Sequence, residues 1–172
     1  ERIYFAFVRL LFEYGCVVWD KAPRHEFLFN EMEKNQIQAA RIITGTNNYA
    51  PKHLLYLETG WEKLSKRRES YRLVLLYKIL NDLAPAHLRN TFLSYTYLNI
   101  NDYNLRHNMQ LIYSRTETFR SSFFPSSFRL WNVLDQSVKN VDLLSLFKSK
   151  LKKKNTPHNF YHDLGCTKIS CI

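Results

Sequence analysis

"ETGWEKLSKRRESYRLVLLYKILNDLAP", residues 58–85, is the stretch on which the fold turns. Trp61, Leu64, Tyr71, Leu75 and Ile79 recur at three- and four-residue intervals or their sums, so they fall on one face of a helix. Thr59 and Glu62 stand three apart just ahead of that face, the spacing of a capping box, in which each side chain satisfies an amide that the first turn leaves free. Lys63, Lys66, Arg67, Arg68 and Arg72 cluster on the first half of this helix. "NDLAP" ends it, and Pro85 is placed to open a short helix to about Phe92, because a first turn does not need the N–H that proline lacks.

Toward the N-terminus, residues 2–18 read as one amphipathic helix dense in Phe, Leu and Val. Pro23 and Arg24 mark a loop. A second helix is expected over about residues 26–44, carrying Leu28, Met32, Ala39 and Ile43 at helical spacing, and Gly45 suits a left-handed cap at its end. "TNNYAP", residues 46–51, is a turn-rich connection. Toward the C-terminus, residues 93–120 are rich in Asn, Tyr, Ser and Thr and offer one short strand in "MQLIYSRT", residues 109–116. "SSFFPSSFRLWNVL", residues 121–134, restarts a helix around Pro125 or Ser126, and Asp142 is placed to cap a last one from Leu143 to about Lys153. The expected fold is mostly α: an irregular helical domain with a short strand or loop-rich segment in the middle. Its parts are a helical segment over 1–50, a basic helical segment over 51–92, a loop-rich connection over 93–121, and C-terminal helices with a basic tail over 122–172.

The composition supports a globular chain. Of 172 residues, 45% are hydrophobic and 15% aromatic, enough for a core. The longest apolar stretches, such as residues 3–12 with Arg9 inside, stop short of the about 20 residues that a membrane span needs. A soluble protein without a membrane partner is expected. No initiator Met and no charged-then-apolar leader opens the sequence, so Glu1 is expected to lie inside a longer reading frame. Three scattered cysteines do not make a disulfide framework, which fits an intracellular setting. The net charge of +10 is uneven: residues 1–62 hold 7 Lys/Arg against 8 Asp/Glu, whereas residues 63–172 hold 18 against 7, net +11. Such a field favours a polyanion, nucleic acid first, because cations on phosphates release counterions.

The second basic cluster is "KSKLKKK", where Lys148, Lys150, Lys152, Lys153 and Lys154 gather at a helix end, the end at which the dipole also favours cations. A phosphate-binding patch and a solvated helix end are both sensible readings, for this cluster as for the one on the earlier helix, and Lys63, Lys66, Arg67, Arg68 and Arg72 together with these five lysines are the expected phosphate contacts. His158, His162, Cys166 and Cys171 are four zinc-type ligands in an H-x3-H-x3-C-x4-C order, but no C-x2-C turn supports a metal site. Catalytic arrangements are missing from the sequence. It holds no glycine-rich phosphate loop, no G-x-S-x-G, no H-E-x-x-H and no adjacent Asp-Asp pair to hold Mg²⁺, so no cofactor and no catalytic residue is assigned, and the chain is not expected to be an enzyme by itself.

Several stretches taken in order, "FEYGCVVWD" (12–20), "EKNQIQAARIITG" (33–45), residues 58–85, "SFFPSSFRLWNVL" (122–134) and then "LFKSKL", resemble the region that follows the polymerase domain in non-LTR retrotransposon reverse transcriptases of the jockey and chicken-repeat type. The resemblance runs over roughly residues 8–153. It implies that the first two segments form the end of a thumb-like helical unit that grips a template-primer duplex, with Trp19 a packing anchor and Asp20 the start of a loop. Asn35 and Ile37 depart from the family pattern, which has an apolar and a basic residue there. The polymerase's catalytic aspartates lie upstream in that family, and the Cys/His element near its C-terminus is only approached by "GCTKISCI". The resemblance implies a role in holding RNA or an RNA–DNA duplex beside the upstream polymerase domain, in the nucleus or in a cytoplasmic ribonucleoprotein. The alternatives are a helical protein-interaction module and a degenerate transposon remnant without activity.

Overall fold

A computed structural model describes residues 1–20, 26–97 and 108–155. After a π-helical opening, Tyr4–Arg9, come α1 (Leu10–Glu13), α2 (Cys16–Trp19), α3 (Glu26–Thr44), α4 (Lys52–Thr59) and α5 (Leu64–Leu80). Then follow α6 (Ala86–Tyr97), α7 (Glu117–Ser121), α8 (Phe123–Asn132), α9 (Gln136–Lys139) and α10 (Leu144–Asn155), with no strand among the described residues. The mostly α fold expected from the sequence is the observed one.

The helix α5 is the axis of the molecule, touching α1, α2, α3, α6, α8 and α10. The described residues form two apolar clusters. One gathers Tyr4, Ile37, Ala40, Leu55, Tyr56 and Trp61 from the N-terminal helices. The other sets Leu73, Leu76, Tyr77 and Ile79 of α5 against Phe92, Met109, Phe128, Trp131, Phe147 and Leu151. Burying a large apolar side chain is worth about 1.5–3 kcal/mol, so these clusters supply the driving force that helix propensity alone does not.

Local structure departs from the sequence reading in several places, among them α6, which runs on to Tyr97, and α7, which lies within the stretch expected to be loop-rich. The helix expected over 2–18 is broken: Tyr14 turns extended and Gly15 is left-handed at φ +59°, a conformation that glycine alone adopts without strain. The freed carbonyl of Tyr14 accepts a hydrogen bond from Trp19 Nε1 at 2.8 Å, so the indole fills the corner that the break makes. The capping box is also not formed. Thr59 closes α4, its hydroxyl donating to Leu55 O at 2.6 Å, and left-handed Gly60 follows. The first amide of α5, from Leu64, is instead satisfied by Glu33 Oε2 of α3 at 3.1 Å, while the other Glu33 oxygen accepts from the Tyr56 hydroxyl. Trp61, expected on the α5 face, lies in the link before it and stacks on Tyr4 at 4.7 Å between ring centroids.

"MQLIYSRT" is not a strand. Met109 exchanges two backbone hydrogen bonds with the side-chain amide of Asn132, at 2.8 and 2.7 Å, so one side chain does for this residue what a neighbouring strand does in a sheet. Finally, α8 starts at Phe123, ahead of Pro125, which then sits in the first turn where its missing N–H is not needed. By contrast α3 runs as expected over Glu26–Thr44 and ends at Gly45 with φ +68°. Its buried face is Gln36, Ile37 and Ala40, whereas Leu28 and Ile43 of the expected helical period are exposed.

Candidate nucleic-acid interface

The basic cluster of α5 divides into arginines that turn inward and lysines that do not. Arg68 is 3% exposed and Arg72 fully buried, and both reach Asp20 at the end of α2. Arg68 Nε donates to Asp20 Oδ1 at 2.9 Å, with its guanidinium beside the rings of Trp19 and Phe29 at 5.8 and 5.1 Å. Arg72 Nε lies 3.3 Å from Asp20 Oδ2, and its two terminal nitrogens donate to the Ser126 hydroxyl of α8 and to the Asp20 backbone carbonyl. The expectation that Arg68 and Arg72 contact phosphate is therefore replaced by a structural role, since in this arrangement neither guanidinium reaches a ligand at the surface. Burial lowers the Arg72 pKa from its usual value, and Asp20 opposes that shift.

Arg67 is half-buried and forms a two-pronged pair with the Glu13 carboxylate, which also accepts from Tyr71 OH at 2.8 Å. Burial alone pushes the Glu13 carboxyl up, but the hydrogen bonds from Arg67 and Tyr71 outweigh it and hold the group below its ordinary range. Those same bonds to Glu13 raise the Arg67 pKa. Arg67 thus also serves to fix α1 to α5.

The lysines behave differently. Lys63, just before α5, and Lys66 of α5 are exposed, and so are Lys148, Lys150, Lys152 and Lys153 of α10. Lys66 pairs with Glu69 at 3.0 Å, a surface contact worth about 0–1 kcal/mol that a phosphate can displace. Lys150 donates to Ser137 O at 2.5 Å. Lys154 lies on α10, and its side chain is outside the described atoms. α10 runs back along α5: Tyr77 OH near the end of α5 donates to Val141 O just before α10, and Phe147 stacks on Tyr77 at 4.3 Å. At the far end of α10, Lys152 comes close enough to Glu62 to act on its carboxyl. The far end of α10 is therefore directed back toward the start of α5, with Lys152 acting on Glu62. The helix dipole accounts for lysines at the end of α10 but disfavours those at the start of α5, where Glu33 and Glu69 partly offset them.

Glu62 is buried just before α5. Burial raises its pKa against the pull of Arg67, Lys152 and Arg9. A carboxyl raised in the fold stabilises below its unfolded pKa and loses that contribution as pH rises through the folded value. Glu62→Gln should therefore raise stability at neutral pH, with the gain vanishing in acid below about pH 4, where the unfolded carboxyl is protonated too. Urea denaturation of both proteins at the two pH values checks this, and a loss of stability at neutral pH contradicts it.

Asp20, Glu13 and Ser126, which the sequence reading left without a role in charge pairing, prove to hold the arginine cluster. The signal available for them was the acidic residue closing "FEYGCVVWD" and the arginine run at 67, 68 and 72, whose side chains need anionic partners once any of them is buried. No group of three or more His, Cys, Asp or Glu side chains suited to a metal ion occurs among the described residues, and His158, His162, Cys166 and Cys171 lie outside them. No helix among the described residues is long and apolar enough to cross a membrane. No protein-family model matches the chain, and neither a curated protein nor a solved structure is found similar to it.

Proposed function

We propose that this chain is part of the C-terminal region of a non-LTR retrotransposon reverse transcriptase, carries no catalytic centre of its own, and holds RNA or an RNA–DNA template-primer for the polymerase domain upstream. The ordered sequence motifs support the family reading. The binding reading rests on one observation: Lys63 and Lys66 at the start of α5 and Lys148, Lys152 and Lys153 of α10 are exposed, and α10 runs back toward the start of α5 so that Lys152 acts on Glu62. Lysines on phosphates position a backbone and carry no sequence information, so binding is sequence-independent. An intracellular ribonucleoprotein is the setting this function requires.

Charge reversal tests it. Lys152→Glu with Lys153→Glu should weaken binding of single-stranded RNA on the order of tenfold at moderate salt while leaving the helical circular dichroism unchanged. Unchanged affinity overturns the proposal and favours the second reading, a helical protein-interaction module, for which the exposed apolar side chains of the N-terminal helices speak.

A further inference from the structure

The junction of Asp20, Arg68 and Arg72 is not balanced in charge. The three side chains are 5%, 3% and 0% exposed, and they bring two guanidiniums to one carboxylate. The remaining acceptors of Arg72, the Ser126 hydroxyl and the Asp20 backbone carbonyl, carry no charge. One positive charge is therefore left over in the interior, where an ion is tolerated only when it is paired. The hydrogen bonds point to the same place. Asp20 Oδ2, Arg72 Nε and Arg68 Nη1 are enclosed and have no hydrogen-bond partner among the described residues. The first two face each other across 3.3 Å in the ion pair, which leaves the Nη1 donors of Arg68. The aromatic rings beside Arg68 stand back from it: Phe29 and Trp19 are centred 5.1 and 5.8 Å from its guanidinium carbon, against 3.8 Å for Arg9 over Phe5.

We propose that a small monovalent anion of the halide class binds at Arg68 Nη1, beside the rings of Trp19 and Phe29. Enclosed donors that a protein does not itself satisfy mark a bound water or ion. The surplus charge selects between the two, since water answers the donor and leaves the charge, whereas an anion answers both. The surplus is a single charge, so a dianion overshoots it. An oxyanion also turns several oxygens to its surroundings, each needing a donor of its own, while a spherical halide makes no such demand. Such an ion adds to the junction of α2, α3 and α5, which carry Trp19, Phe29 and Arg68. It involves none of the exposed lysines, so the inference does not depend on nucleic-acid binding.

The test is urea denaturation of the 172-residue chain while gluconate is replaced stepwise by chloride at constant ionic strength. Gluconate is monovalent too but far too large to be enclosed, so the screening of surface charge is held fixed. A ligand bound only by the native state raises the folding constant in proportion to its concentration once that exceeds the dissociation constant, so the wild-type chain should gain roughly tenfold for a tenfold rise in chloride in that range. Arg68→Met removes the surplus charge and the donor together, and its folding constant should be the same in both salts. Equal wild-type folding constants in gluconate and chloride overturn the proposal and leave water at Arg68 Nη1. A chloride response that Arg68→Met retains overturns it as well, because the ion then binds elsewhere. If Arg68→Met does not fold, the line width of the chloride nuclear resonance decides in its place. Broadening by the native chain that survives Lys152→Glu with Lys153→Glu supports the enclosed site, and broadening that this double variant abolishes contradicts it by assigning chloride to the lysines.

Discussion

Asp20→Ala should destabilise the protein by about 3–5 kcal/mol, because it strips the carboxylate from two buried guanidiniums and leaves their charges uncompensated. Arg68 and Arg72 are 3% and 0% exposed, so neither can recover its solvation by turning outward without opening the core. The loss extends further than one ion pair. Asp20 closes α2, both arginines belong to α5, and Arg72 continues to Ser126 of α8, so three segments distant in sequence are joined at this point. Native stabilities of about 5–15 kcal/mol mean that such a change removes a large share of the total, and equilibrium urea denaturation should show it as a lower midpoint. Asp20→Asn keeps one side-chain acceptor oxygen but not the charge, and should fall between wild type and Asp20→Ala. A change of less than about 1 kcal/mol for Asp20→Ala would place the cluster among contacts of ordinary surface strength.

Trp131→Ala should cost a similar amount, about 3–5 kcal/mol, through the cavity left in the second core. Trp131 is 1% exposed and its ring lies 6.0 Å from Phe147, which in turn stacks on Tyr77, so the indole supports the contact that fixes α10 along α5. The indole N–H has no hydrogen-bond partner. Trp131→Phe should therefore cost clearly less than Trp131→Ala, since it removes part of the volume and no hydrogen bond. Equal losses for the two substitutions in the same denaturation experiment would mean that the polar atom, and not the packing, is what the site needs.

The extent to which the fold is legible in the sequence follows from which signals are local. α3 has a proline-marked loop before it, a helical apolar period within it and a glycine after it, and each acts over a few residues, so its limits match the expectation. α5 has a similarly local signal in its apolar face, but its start does not. The cap of Leu64 comes from Glu33, thirty-one positions away, and no spacing rule near Thr59 can reveal it. The same holds for Met109, whose backbone finds the side chain of Asn132. The break at Gly15 was hidden because the apolar period continues on both sides, leaving one glycine as the only sign.

The candidate site shows the same division. Charge placement along the chain identified both lysine clusters, but a count of cations does not distinguish Arg68 from Lys66. Only the fold, which brings Asp20 to α5, separates the arginines that hold the molecule together from the lysines left at its surface. At the end of α2 the Trp19 indole is bonded to the Tyr14 carbonyl and the Asp20 carboxylate is paired with α5, contacts that no local spacing in the sequence reveals.

The most direct test of this division is the salt dependence of binding to single-stranded RNA. Five phosphate contacts, from Lys63, Lys66, Lys148, Lys152 and Lys153, should give a slope of roughly −3.5 when the logarithm of the binding constant is plotted against the logarithm of salt concentration. A flat plot would contradict nucleic-acid binding by this surface, and a slope near roughly −5.6, the value for eight contacts, is what engaging Arg67, Arg68 and Arg72 at the phosphates as well would give.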